Sequence, residues 1–198
     1  MLDYNTFFPY AKPRKEQRQA IEFAIKAIED SDKRFVIIEA GTGVGKSAIG
    51  LTLSRYLEQS IPNQEGFAQG GYFLTTQKIL QAQYEKDFGK PRGEMKSVYS
   101  SSNYRCKFHK ENDCRTSQQM LRTADRKSAF FKACAGTCRY KLAKKSFLES
   151  PESVTNFPYF LTEATYSGGI TPRKVLVIDE AHNTEAVLSN FVEVSVSQ

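Results

Sequence analysis

The chain has 198 residues, 40% hydrophobic and 25% charged, with 28 Lys/Arg against 22 Asp/Glu and a formal charge of +6. That balance excludes a disordered or low-complexity chain and leaves room for one sizeable core plus a small insertion. No apolar run approaches the roughly 18 residues that cross a bilayer, and the opening MLDYNTFFPYAKPRK lacks the order of a secretory signal, so a cytoplasmic protein with no membrane partner is expected.

Taken along the chain, residues 15–28 set Ile21, Ala24, Ile25 and Ile28 at helical spacing, which predicts an amphipathic helix. RFVIIEA, residues 34–40, is a short β-branched run and predicts a buried strand. KSAIGLTLSRYLEQ carries Ile49, Leu53, Tyr56 and Leu57 on one helical face. GGYFLTT predicts a second strand, QKILQAQYEKDF a helix, and residues 174–178 a third strand ahead of Asp179. Strands alternating with helices imply an α/β fold: a parallel sheet covered on both faces. Residues 91–145 break this rhythm, being polar, basic and cysteine-bearing, and are expected to stand outside the sheet. The expected organisation is one α/β domain in two parts, 1–90 and 151–198, around an inserted small domain, 91–150. The terminal NFVEVSVSQ alternates like a strand leading onward.

Between the first strand and its helix lies Ala40-Gly-Thr-Gly-Val-Gly-Lys-Ser47. Glycine in an ordered element costs roughly 0.5–1 kcal/mol relative to alanine, so the cluster points to a backbone that must approach a ligand. The pattern is that of a phosphate-binding loop, with Ala40 at its first position. Gly41, Thr42, Gly43 and Gly45 leave backbone N–H groups open to phosphate oxygens at a helix N-terminus. Lys46 would reach the β- and γ-phosphates, and Ser47 would join the Mg²⁺ shell. VLVIDEAHN supplies the matching carboxylates: Asp179 to hold Mg²⁺ and Glu180 to polarise the attacking water. An N-terminal helix cap would account for one of these acids, not both. ATP hydrolysis is the implied chemistry, with ATP and Mg²⁺ as ligands.

Charge and cysteine coincide elsewhere. Residues 103–145 hold twelve Lys/Arg against three Asp/Glu, a local +9 that leaves the rest of the chain at −3. Such a concentration is either a solvated helix face or the footprint of a polyanion. All four cysteines lie inside it, as Cys106-x7-Cys114-x19-Cys134-x3-Cys138. In a chain with no export signal they read as metal ligands or thiols before disulfides. Cys₄ ligation suits an iron–sulfur cluster. His109 keeps a three-cysteine, one-histidine zinc site open, and unliganded buried thiols are a third possibility. Tyr104, Phe108, Phe130, Phe131 and Tyr140 could stack on bases or pack as core.

Asp179-Glu180-Ala181-His182 is the DEAH form of the second motif of superfamily 2 helicases, whose first motif commonly begins with alanine, as at Ala40. Within that superfamily the chain resembles the iron–sulfur DNA helicases of the XPD and DinG group. FFPYAKPRKEQRQAI is similar to their opening motif, which would put Arg14 and Gln17 beside the adenine. FLTTQKILQAQ resembles motif Ia, which would put Thr75, Thr76 and Gln77 near the nucleic-acid backbone, and NFPYFL resembles the Asn-x-x-Tyr segment at Asn156 and Tyr159. The resemblance implies a RecA-like motor domain, catalytic roles for Lys46, Asp179, Glu180 and His182, and a [4Fe–4S] cluster on Cys106, Cys114, Cys134 and Cys138. It also implies 5′-to-3′ movement on single-stranded or forked DNA, work in repair or replication, and a nucleoid or nuclear setting according to the organism. The family's second RecA-like lobe, with motifs III to VI, has no counterpart before Gln198, so the chain is expected to be the N-terminal half of such a motor. The rival reading is a nucleic-acid-binding ATP switch that unwinds nothing, and a P-loop kinase is disfavoured by the DEAH tetrad.

Overall fold

The computed structural model describes residues 2–30, 33–91, 93–136 and 138–192. Four parallel strands form one sheet in the order β2-β3-β1-β4, with β1 at Ala68–Thr75, β2 at Lys96–Ser97, β3 at Glu152–Asn156 and β4 at Arg173–Ile178. Strand β1 is central. It runs in register with β3 from Gly71↔Glu152 to Thr75↔Asn156, and with β4 from Gly71↔Val175 to Leu74↔Ile178. Helices α1 (Lys15–Glu29) and α2 (Lys46–Ser60) precede β1. Parallel neighbours need crossovers: α3 (Lys78–Phe88) lies between β1 and β2, and a cysteine-bearing group, α4 (Cys114–Leu121), α5 (Ala129–Gly136) and α6 (Arg139–Glu149), between β2 and β3. Helix α7 (Phe157–Thr162) leads through a π-turn at Glu163–Ser167 into β4, and α8 (Thr184–Val192) follows it.

The alternation of β1 explains the layers. Phe73 points to one face, where Leu51 of α2 and Tyr84 and Phe88 of α3 bury it with Met95 and Val154. Tyr72 points to the other face, against Phe147, Val98, Tyr159, Tyr140 and Cys114. A third cluster seats α1 and α2 beside β4 through Ile21, Ile25, Ile49, Tyr56 and Val175. Lys174 of β4 caps the far end of α2, donating to the carbonyls of Glu58 and Ile61 at 2.8 Å each, where a helix C-terminus favours a cation.

Helices α1, α2 and α3 and strands β1 and β4 fall where the sequence periodicity sets them. Three expectations change. Residues 34–40 form no strand: Phe35 and Ile37 are 87% and 86% exposed, while Val36 and Ile38 are half-buried and Ile38 packs on the α1–α2 cluster. The run has strand alternation, but a ladder needs a neighbour in register, which β-propensity cannot supply. Second, the segment expected outside the sheet contributes its edge: β2 pairs with β3 through Lys96↔Ser153 and Ser97↔Val154, because Met95 and Val98 on either side are buried apolar anchors. Third, Asn190, Phe191 and Val192, read as the start of a terminal strand, close helix α8. The rest of that expected strand, 193–198, lies outside the described residues.

Candidate active site

The glycine-rich loop joins the half-buried Ile38 segment to the N-terminus of α2. Gly43 and Gly45 have φ of 79° and 85°, left-handed values that L-residues rarely adopt, and Gly45 is the N-cap of α2. A Cβ on Gly45 would stand 2.5 Å from Nε2 of Gln17. That close approach has a purpose. Gln17 is only 3% exposed; its Nε2 donates to the Val44 carbonyl at 2.9 Å and its Oε1 accepts the Arg14 N–H at 2.9 Å. Arg14 Nη1 donates to the Gly43 carbonyl at 3.1 Å. Two loop carbonyls are thereby held by the N-cap and first turn of α1. Arg14 and Gln17, expected beside the adenine, thus lie against the loop itself.

Lys46, the first residue of α2, donates from Nζ to the Ala40 carbonyl at 3.2 Å and lies 3.8 Å from Oε1 of Glu180. Ser47 follows it one residue into the helix. Asp179 follows directly on β4, anchored by its N–H on the Leu74 carbonyl at 2.9 Å. One of its carboxylate oxygens accepts the Glu180 N–H at 3.0 Å, and the other accepts the Tyr84 hydroxyl at 3.2 Å. Glu180 has φ 54°, and among the described residues it is the only non-glycine in the left-handed region. Such a conformation costs about 1–3 kcal/mol and gathers at functional sites. Here it turns the chain sharply enough for Oε2 of Glu180 to meet His182 Nδ1 at 3.3 Å. Lys46, Asp179, Glu180 and His182, all chosen from sequence, are therefore brought to one end of the parallel sheet. That is where α/β proteins gather ligands.

Tyr84 was not foreseen. At helical spacing with Leu80 and Phe88 it reads as a core aromatic, and the neighbour that gives its hydroxyl a partner is 95 residues away. Burial, then the Asp179 carboxylate, push its phenol well above the ordinary tyrosine range, with Ser47 partly opposing them.

The four cysteines, all free thiols, line one small cavity together with Phe108 and Phe130, and Arg105, Lys107 and Arg139 stand around it. Cys114 and Cys138 have their sulfurs 3.3 Å apart. Burial and the Cys138 thiol push Cys114 up to about 12. Cys134 is raised by burial and then by Cys138. Burial also works against ionisation of Cys106, but the Ser117 side chain and the N–H groups of His109 and Phe108 outweigh it and lower that thiol. Among the described residues no three His, Cys, Asp or Glu side chains make a group that could hold a metal ion. The His109 ring, a ligand in the zinc alternative, packs edge-on against Phe130 with centroids 4.6 Å apart.

The expected nucleic-acid contacts divide. Thr75 is fully buried and its hydroxyl donates to the Gln77 carbonyl at 3.1 Å, so of this triplet only Gln77 is exposed. Asn156 caps α7 by accepting the Tyr159 N–H at 3.0 Å, and the Tyr159 hydroxyl lies 3.0 Å from that of Tyr140. Among the aromatics, Phe130 and Tyr140 are core and Phe108 is exposed.

No curated protein matches the sequence. A family model described as the type III restriction enzyme res subunit matches residues 10–195. That span contains the loop, the DEAH turn and every strand of the sheet. With a glycine loop, a lysine and two acids meeting at one end of a parallel sheet, the chain belongs to the res-subunit family, a superfamily 2 helicase N-terminal domain of ATP-dependent nucleic-acid enzymes.

Proposed function

We propose that the chain is the first motor domain of a DEAH-type, iron–sulfur DNA helicase of the XPD and DinG group, moving 5′ to 3′ on single-stranded DNA. The observation that carries the ATPase part is the approach of Lys46 to Glu180 at the end of β4, beside Asp179. In this reading the N–H groups of Gly41, Thr42, Gly43 and Gly45 wrap the phosphates at the start of α2, and Lys46 neutralises them. Ser47 and Asp179 would hold Mg²⁺, which would supply positive charge to offset that of the phosphates. Glu180 orients the attacking water, and His182 steadies the carboxylate of Glu180. Arg14 and Gln17 keep the loop's carbonyls turned away from the phosphates. A second RecA-like lobe across the nucleotide would supply an arginine finger.

Cys106, Cys114, Cys134 and Cys138 are the proposed ligands of a [4Fe–4S] cluster. Their shared cavity supports this, and cluster binding would close the four thiols into the metal-holding group that their present spacing does not make. When bound, the cluster would cross-link the segment and brace its basic surface. Purification without oxygen should give a brown protein absorbing broadly near about 400 nm, with iron and acid-labile sulfide, and Cys134→Ser should bleach it. Zinc without sulfide would replace the cluster by a zinc site. For the motor, single-stranded DNA should stimulate ATP hydrolysis. A rate indifferent to DNA would leave an ATP switch instead.

A further inference from the structure

Tyr84 is 3% exposed, and its ring is wedged between Phe73 and Phe88, with centroids 5.8 Å and 5.9 Å away. Packing alone would be served as well by a third phenylalanine. What the tyrosine adds is a hydroxyl that crosses from α3 to the end of β4 and donates to Asp179 at 3.2 Å. The other oxygen of Asp179 is fixed by the Glu180 N–H. An ionised carboxylate offers about four acceptor positions, so one donor on each oxygen sets the plane of the group and leaves positions for a cation or its water. The donor is neutral. A lysine or arginine in its place would cancel the charge that attracts Mg²⁺, whereas a phenol orients the carboxylate and leaves its charge intact.

The same helix leads elsewhere. Helix α3 begins directly after Gln77, the residue of the motif Ia triplet that is exposed. In its first turn Lys78 Nζ donates to Asn103 Oδ1 at 2.9 Å, at the border of the basic segment. We propose that Tyr84 is a positioning residue of the ATP site: its hydroxyl holds Asp179 in the orientation that receives Mg²⁺ and ties that orientation to α3. A displacement of α3 caused by nucleic acid at Gln77 or Lys78 is then felt at the metal-binding carboxylate. The proposal rests on the reading of Asp179 as a Mg²⁺ ligand.

The test is a double-mutant cycle on the full 198-residue chain. Binding of a fluorescent ADP analogue is followed across a Mg²⁺ titration and in EDTA, for the wild type, Tyr84→Phe, Asp179→Asn and the double variant. Unfolding temperatures are measured without nucleotide. Tyr84→Phe should raise the Mg²⁺ concentration giving half of the metal-dependent tightening roughly tenfold, the size of one lost hydrogen bond to a charged group. It should leave binding in EDTA unchanged and add nothing once Asp179 is Asn. Equal Mg²⁺ midpoints in Tyr84→Phe and a Mg²⁺-responsive wild type would overturn the proposal. So would additive effects in the cycle, which would assign Tyr84 to packing. A wild type whose nucleotide binding ignores Mg²⁺ would instead overturn the reading of the site on which the proposal stands.

Discussion

Lys46 and Glu180 lie 3.8 Å apart with about a third of each side chain exposed, and an ion pair that open contributes at most about 1 kcal/mol. Such a pair is easily exchanged for phosphate. Lys46→Ala should therefore leave the unfolding temperature nearly unchanged while removing most ATP binding, as read by calorimetry. Glu180→Gln keeps the shape of the side chain and loses its capacity to polarise water. It should retain ATP affinity and lower turnover by roughly 10²- to 10⁴-fold, the usual worth of a positioned general base. Wild-type turnover in that variant would remove Glu180 from the chemistry. Gly45→Ala combines left-handed strain with the Gln17 contact, and a misplaced loop should weaken nucleotide binding without unfolding the core.

At the scale of elements, the sheet depends on polar ties as well as on apolar faces. Arg173 of β4 is buried with its guanidinium over the Tyr72 ring at 4.2 Å. It donates to the carbonyls of Gly71, Leu148 and Ser150 and to the Ser153 hydroxyl at 2.7–3.1 Å. One side chain thus ties β1, β3 and β4 to the end of α6. Arg173→Met would strand several buried acceptors and should destabilise the chain by about 3 kcal/mol, read in denaturant unfolding. A second tie joins α6 to the turn before β4, where Lys144 meets Glu163 at 2.5 Å and Tyr140 donates to the same carboxylate at 3.1 Å. Burial opposes ionisation of Glu163, but the bonds from Lys144 and Ser167 outweigh it and hold the carboxyl below its ordinary value of 4.5. A depressed folded pKa contributes stability in full above the ordinary value and loses it progressively as the pH falls below. Glu163→Gln should accordingly flatten the acid side of the stability–pH profile.

Across the whole molecule, the cysteine-bearing segment is part of the core that packs on the sheet. Cys114, Tyr140 and Phe147 share a cluster with Tyr72 of β1 and with Tyr159 of α7. Binding at its basic surface can therefore reach the sheet through packed side chains. Affinity for single-stranded DNA should fall linearly in log–log plots against salt, with a slope of about −0.7 for each phosphate neutralised. Charge reversal at Lys141 and Lys145, both exposed on α6, should reduce that slope by about one to two. A slope unmoved by both changes would place the nucleic-acid contacts elsewhere.

The sequence by itself determined the parts whose signals are local. Glycines beside Lys46 and Ser47 encode a left-handed loop at a helix start, periodicity in residues 15–28 encodes α1, and an acidic pair after an apolar strand marks the end of β4. The type of chemistry was legible because phosphate binding needs residue kinds at fixed spacing along one continuous stretch. Only the tertiary structure decided what depends on distant neighbours. It set Gln17 against the loop, turned Thr75 inward, and drew Lys96–Ser97 into the sheet edge. Among the described residues it left 34–40 without a ladder partner, and it brought the Tyr84 hydroxyl to Asp179. The reason is physical: a side chain's period fixes which face of its own element it occupies, but hydrogen-bond partners and strand neighbours come from chain tens of residues away. No local pattern encodes that approach.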